Sequence, residues 1–443
     1  MIGSKIIIFC PGANATGGTE LLHQLGYKLN LFGFNASIHY YGYEKGQQAV
    51  HPHFLKYNVP VAETIVDSSD RLYIYPEAMA SSLEGIKKDL PRSLHVLWWL
   101  SVDNAGMTPE LEKEISADTG LIHLVQSYYA DDYVREVLGV PNDRRLYLSD
   151  YINNNYLNID NNTNRDDVVL FNPRKGFERT SGIIKSSDHR IKWQAIAGLS
   201  PEKVPELLQT AKVYIDFGNH PGKDRFPREA VACGCRIITG RKGSAANSRD
   251  IPILDQLKIA DDTDNGYILM LIHTLLEKYE ENENLYSEYR KMINEEFHSF
   301  EADTLSVFSK ITQNSIKGFN DDEETLRDEI LRAVSSEEYK RAFYYLTVYR
   351  IKNYTVDTDL LIMEAYTRLG ICEEQVALYL MNSLLASDES NYEAYLIKAR
   401  ALLTLGKAGA REALDNAIKF STGTGDELYI KESVSALGGE TNL

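Results

Sequence analysis

Apolar runs of strand length alternate with amphipathic runs of helix length through most of the chain. Lys5-Ile6-Ile7-Ile8-Phe9-Cys10 is almost continuously apolar, the pattern of a strand covered on both faces. It breaks at Pro11-Gly12, and Gly17-Gly18-Thr19-Glu20 then opens a helix with Leu21, Leu22, Leu25 and Leu29 as its apolar face. Further strands are expected at residues 37–41, 72–75, 95–100, 121–125 and 145–148. Strands spaced by helix-sized gaps predict a doubly wound parallel sheet.

Residues 149–165 are rich in Asn and Asp and lack periodicity, which is linker chemistry. A second strand series follows at 168–171, 191–193, 213–215 and 235–239. Ser200 and Pro201 suit the cap and first position of a helix running to Ala211. Another helix is expected from Pro227, in its first turn, to Gly234 at the C′ position. Residues 266–289 read as one long amphipathic helix that continues to about Lys317. From Asn320 onward glycine and proline thin out and helix formers dominate. Ala365-Tyr366-Thr367-Arg368-Leu369-Gly370 recurs as Ala401-Leu402-Leu403-Thr404-Leu405-Gly406, an offset of 36, and Ala413 and Ala417 suit close helix packing. This tail resembles a short tetratricopeptide-like array of two or three helix pairs. Tyr339, Tyr344, Tyr345, Tyr349, Tyr379, Tyr392 and Tyr395 exceed what a thin cap needs, so some should line a groove or an oligomer interface.

Composition narrows the classes. With 43% hydrophobic and 25% charged residues the chain is an ordinary globular sequence, and its 443 residues suit two or three domains. A net charge of −17 argues against nucleic acid and against a broad contact with anionic lipid. The tail, with 13 Lys+Arg against 22 Asp+Glu, carries −9 of it. Four cysteines form no C-x-x-C pair, and Cys233-x-Cys235 has the wrong spacing for zinc. No apolar run reaches membrane-spanning length and no leader pattern opens the chain, so a cytoplasmic location is expected, with peripheral attachment to the inner face of the membrane left open. Asp262-Thr263-Asp264 and Asp357-Thr358-Asp359 match the D-x-D metal pattern but read as loop or cap residues. His23, His51, His53, His95 and His123 show no metal spacing. No metal and no cofactor are expected.

Candidate chemistry sits where strands end, the edge at which α/β sheets bind ligands. Gly17, Gly18 and Thr19 expose backbone N–H groups at the positive end of a helix. The fingerprint G-x-G-x-x-G is absent, which disfavours NAD. Asp103 and Asn104, after the strand ending Trp98-Trp99-Leu100, read equally as cleft residues or as a turn. Arg174 and Lys175 follow the first strand of the second series. A guanidinium fork beside a compact ammonium there is placed to grip a diphosphate. The loop His220-Pro221-Gly222-Lys223-Asp224-Arg225 puts three charges ahead of a helix that is nearly all small and apolar.

The run Pro227-Arg228-Glu229-Ala230-Val231-Ala232-Cys233-Gly234-Cys235, followed by Gly243-Ser244-Ala245, resembles the donor-binding core of GT-B glycosyltransferases similar to family 4. The resemblance covers residues 1–318 and is strongest over 168–247. It implies an α/β chain with two Rossmann-like domains facing a cleft: 1–155 on the acceptor side and 156–318 binding the nucleotide-sugar. A helical, repeat-like domain at 319–443 follows. It further implies that Glu229 binds the nucleotide ribose and that Gly243, Ser244 and Ala245 lie against the diphosphate. Arg174 and Lys175 would neutralise the leaving diphosphate, and Gly17, Gly18 and Thr19 would face the cleft. The family pattern has another glutamate eight positions before Glu229, where this chain has Pro221. Lys223, Asp224 and Arg225 are left as candidates for the sugar contact. The expected catalytic set is Lys223, Asp224 and Glu229, with Arg225 among the donor-binding residues.

The implied activity is sugar transfer from a nucleotide-sugar to a glycan or lipid-linked acceptor in surface polysaccharide or glycoconjugate synthesis. It would be retaining and metal-independent. A sugar-nucleotide epimerase of the same fold is a second reading. A non-catalytic assembly protein, working through a protein partner or self-association of 319–443, is a third.

Overall fold

The computed structural model describes residues 4–44, 46–158, 164–200 and 203–439. The helix start expected at Ser200-Pro201 runs into residues 201–202, and part of the expected linker is 159–163; both lie outside the described residues. The chain divides into two compact units, Met1–Ile152 with Ile159–Ser315, and Asn153–Asn158 with Ile316–Leu443.

In the first unit β1 (Lys5–Pro11), α1 (Gly17–Leu31), β2 (Asn35–Tyr41), β3 (Arg71–Pro76) and α2 (Leu83–Asp89) come first. β4 (Leu94–Trp99), α3 (Pro109–Ala117), β5 (Leu121–Val125), α4 (Tyr128–Glu136) and β6 (Arg145–Tyr147) complete a parallel sheet of order β2-β1-β3-β4-β5-β6. Each of the five strands expected from the apolar runs is present. Trp98 and Trp99 are fully buried in this sheet, as a strand covered on both faces requires.

The second sheet has β7 (Asp166–Phe171), α5 (Phe177–Ser186), β8 (Lys192–Ala195), α6 (Val204–Thr210) and β9 (Ala211–Asp216). α7 (Arg225–Ala232), β10 (Arg236–Gly240) and β11 (Lys258–Ile259) follow, and the parallel order is β11-β10-β9-β7-β8. Chain order reverses beside β7, whose neighbours are β8 and β9. Such a switch point opens a crevice at the carboxyl ends of the strands. α7 begins two residues before the expected Pro227, with Asp224 as its N-cap residue. Pro227 still falls in the first turn, where the missing N–H costs nothing. Gly234 follows the helix with φ of 90°, the left-handed C′ conformation.

Two expectations are corrected here. Residues 266–289 are not one helix: α8 (Asn265–Glu277) stops, and α9 (Ser287–Asn294) and α10 (Glu296–Ile311) follow separately. The Asn282 side-chain amide donates to the Lys278 carbonyl at 2.8 Å, one of the acceptors left at the end of α8. Residues 149–152 are not linker but buried structure, and Asp150 is fully enclosed. α10 returns to the first sheet, where Glu301 meets Lys28 of α1 in a buried ion pair at 2.7 Å. Among the described residues no helix is long and apolar enough to cross a membrane.

The second unit is helical: α11 (Glu323–Ser335), α12 (Tyr339–Ile351), α13 (Thr358–Gly370), α14 (Glu374–Ser387), α15 (Tyr392–Thr404), α16 (Ala410–Ser421) and α17 (Glu427–Gly439). Alternate helices start at 323, 358, 392 and 427, intervals of 35, 34 and 35. The 36-residue alignment is therefore about two residues out of register. Tyr345 and Tyr349 are core residues, and the other five rings noted above are half-buried.

Candidate active site at the carboxyl ends of the strands

The loop between β9 and α7 is where the polar segments meet. Its Gly222 packs so close to β4 that a Cβ there would lie 1.9 Å from the Leu100 carbonyl oxygen. Only glycine lets the loop seat against the first sheet. The neighbouring Pro221 carbonyl accepts from the Val102 N–H at 2.7 Å, and Asn219 donates to Asp103 at 2.8 Å.

Its charges are spoken for. Lys223 lies 2.8 Å from Glu296 and 3.8 Å from Asp150, and Arg228 donates to both carboxylates at 2.7 Å. This buried quartet joins the loop, α7, α10 and the segment after β6. Burial pushes the Asp150 carboxyl up, but the Arg228 and Lys223 cations outweigh it and hold it below the usual carboxylate range. Asp224 is ion-paired with Lys175, and Arg225 with Glu20 of α1. Glu229 is buried on α7, one turn in from Arg225.

The other expected residues fall around this loop. Arg174 and Lys175 follow β7, in a turn where the Asn172 side chain accepts from the Arg174 N–H at 3.0 Å. Arg174 is exposed, and its guanidinium has no partner among the described residues. Gly243, Ser244 and Ala245 form a short 3-10 turn, and the Ser244 N–H donates to the His220 carbonyl at 2.8 Å. Ser244 Oγ donates to the Gly222 carbonyl at 2.5 Å. Gly17 rests against the Arg225 side chain, while Thr19 is buried and closes a capping box with Thr16. Asp103 accepts from Tyr129 and Asn219, both at 2.8 Å. Asn104 is exposed at the end of the same turn, and its side chain makes no hydrogen bond among the described residues.

Asp264 caps α8 and Asp357 caps α13, so the two D-x-D matches are helix starts. Of the histidines read as structural, His23 bridges Thr19 and Tyr40 at 2.7 Å each, and His95 bridges Leu90 and Tyr75 at 3.0 and 3.1 Å.

Sequence reasoning missed several groups here. Asp150, Arg228 and Glu296 complete the quartet with Lys223, and Asp216 and His220 are buried beside Asp224. Glu77, just past β3, is 6% exposed, and burial pushes its carboxyl up to about 7. A charged residue immediately after an apolar strand was the available signal for Glu77 and Asp216.

No protein-family model matches the chain, and no curated protein matches it. Solved structures do. A glycosyltransferase from Rickettsia africae aligns with a TM-score of 0.54 at 11% identity, over 70% of this chain and 100% of its own. Anabaena Alr3699/HepE, solved in complex with UDP-glucose, gives 0.50 at 12% identity, over 69% of this chain and 99% of its own. The chain has the GT-B fold. The two parallel sheets are that fold's pair, each with its carboxyl edge carrying the polar loops, and the helical unit is an addition to it.

Proposed function

We propose that the protein is a glycosyltransferase that moves a sugar from a nucleotide-sugar donor to an acceptor. The observation that carries this reading is the convergence at the β7/β9 switch point. The Arg174-Lys175 turn, the Gly243–Ala246 turn and the start of α1 all reach the one loop before α7. The exposed, unpartnered guanidinium of Arg174 supports a diphosphate site beside it. Lys175 joins it when donor phosphates compete with Asp224 for the ammonium. Glu229 takes the ribose hydroxyls, and Gly243, Ser244 and Ala245 lie against the diphosphate. The departing charge is met by fixed cations and helix N-termini, without an ion between the phosphates. Retention at the anomeric carbon rests on the likeness to family 4 alone.

Lys223 is a positioning residue in this reading, since its ammonium is held in the buried quartet. Asp224 and Arg225 are then the loop residues nearest to a bound sugar. The UDP-glucose bound to the Anabaena protein makes UDP-sugars the first donors to test. We place the reaction in the cytoplasm, at the membrane's inner face where the acceptor is lipid-linked, in surface polysaccharide or glycoconjugate synthesis. The helix intervals of 35, 34 and 35 support a tetratricopeptide-like tail that binds a protein partner or a second copy.

Calorimetry of UDP and uridine against the Arg174→Ala variant tests the site. A charge-assisted bond is worth about 1.5–3 kcal/mol, so UDP affinity should fall roughly ten- to hundredfold while uridine affinity holds. Equal loss for both ligands, or none, removes the diphosphate assignment. Interconversion of UDP-sugars in the absence of acceptor would instead mark an epimerase.

A further inference from the structure

The carboxyl end of β9 holds a cluster short of positive charge. Asp216 is 2% exposed and His220 is 0% exposed, with Asp224 completing the group. His220 Nε2 lies 3.6 Å from Asp216 Oδ1, and Nδ1 lies 3.4 Å from Asp224 Oδ2. Neither ring nitrogen makes a hydrogen bond among the described residues. The cation present is Lys175, on Asp224. Among the described residues the hydrogen-bond donors to Asp216 are neutral, the Tyr214 hydroxyl at 2.8 Å and the Gly218 N–H at 2.9 Å. Two carboxylates against one ammonium leave a negative charge unbalanced, and buried charge is costly unless compensated.

A proton on the imidazole or a metal ion would supply the balance, and the distances separate the two. A protonated ring on a carboxylate makes a charge-assisted bond of about 2.7–2.9 Å. Both separations here are longer. Ligands that share one ion through bonds of about 2.0–2.2 Å stand roughly 3–4.3 Å apart, depending on geometry. One ring nitrogen serves as ligand, and the three candidate ligand atoms, one from each residue, all lie within 4.8 Å of one another, so a small inward shift of the carboxylates brings them to share an ion.

We propose that Asp216, His220 and Asp224 form a site for a divalent transition-metal ion of the Mn²⁺ or Zn²⁺ class. Imidazole with two carboxylates suits these ions better than Ca²⁺ or Mg²⁺, which take oxygen ligands, or Cu(I), which takes sulfur. The Tyr214 hydroxyl and Gly218 N–H orient Asp216 as outer-sphere partners do at metal sites. One ring nitrogen binds the ion, and the other is left facing a carboxylate. The ion competes with Lys175 for Asp224 and frees its ammonium. Binding of the ion is read directly, so its outcome is separate from that of the transfer reaction.

The test uses the full chain, stripped with a chelator and dialysed. Mn²⁺ is titrated while the paramagnetic resonance of the free ion is followed, and Zn²⁺ binding is measured by calorimetry. One ion per chain is expected. His220→Ala and Asp224→Asn should each weaken binding roughly tenfold or more. Lys175→Ala should tighten it, because the competing ammonium is gone. Asp224 is at the edge of the cluster, its side chain 14% exposed, so Asp224→Asn keeps the test available should His220→Ala fail to fold. Absence of saturable binding, or affinity unchanged in Asp224→Asn, overturns the site. Binding that is no tighter in Lys175→Ala overturns the sharing of Asp224.

Discussion

Glu77 Oε2 accepts the Leu100 N–H at 3.2 Å, just past β4, on the residue whose carbonyl Gly222 packs against. Burial raises this carboxyl from an ordinary 4.5 to about 7 in the folded chain. Below pH 4.5 it is protonated whether the chain is folded or not, and contributes no pH dependence. Between pH 4.5 and 7 the unfolded chain ionises it while the folded chain does not, so stability falls as pH rises. Above pH 7 the full penalty, on the order of 3 kcal/mol, is in place. Glu77→Gln keeps an acceptor for Leu100 and removes the ionisation. The variant should gain stability over the parent at pH 8 and lose that advantage near pH 4.5, as read by urea unfolding. An equal difference at both pH values would mean that Glu77 titrates normally. Arg174 stands out in the sequence as a candidate because it lies in the turn three residues past an apolar strand, and the edge where strands end is itself predictable. Glu77 also follows an apolar strand, yet its importance comes from Leu100, just past the end of β4. Composition around it says nothing of that.

The strands and α7 were legible as elements, since an apolar run covered on both faces is a local property. What α7 and its loop hold onto was not. Arg228 meets Glu296 across 68 residues and Asp150 across 78, and no periodicity links positions so far apart. For that reason Lys223 read as a free charge near the sugar, and residues 149–152 read as linker. The quartet gives a prediction at this scale. Asp150→Ala leaves the buried Arg228 and Lys223 cations to share the one carboxylate of Glu296, and breaking a buried pair costs about 3–5 kcal/mol. Replacing Asp150 and Arg228 together by apolar residues should cost less than the single change, because no unpaired charge remains from that pair. Denaturant midpoints of the parent, the two single variants and the double variant decide it. A double variant whose loss equals the sum of the two single losses would show that the charges act independently.

At the scale of the whole chain, the helical unit includes a piece from far upstream. Residues 153–158 belong to it rather than to the sheets. Asn158 donates to the Gln375 carbonyl at 2.7 Å and accepts from Asn382 at 3.2 Å, while Tyr156 and Leu157 are 7% and 8% exposed. A chain ending at Ser315 keeps both sheets, α10 and every residue of the candidate site. It removes the partners of Asn158. Such a chain should stay folded and bind UDP as the full protein does, because the site's hydrogen bonds and ion pairs all lie within the first unit. Residues 153–158, deprived of their partners, should become a new cleavage site for a broad-specificity protease. If the tail binds a second copy, light scattering will also show the mass per particle fall by more than the deleted residues account for. A soluble chain with no new cleavage would mean that 153–158 hold their place without the helices. An insoluble chain would mean that the two units fold as one, and that the helical addition is part of what keeps the GT-B core stable.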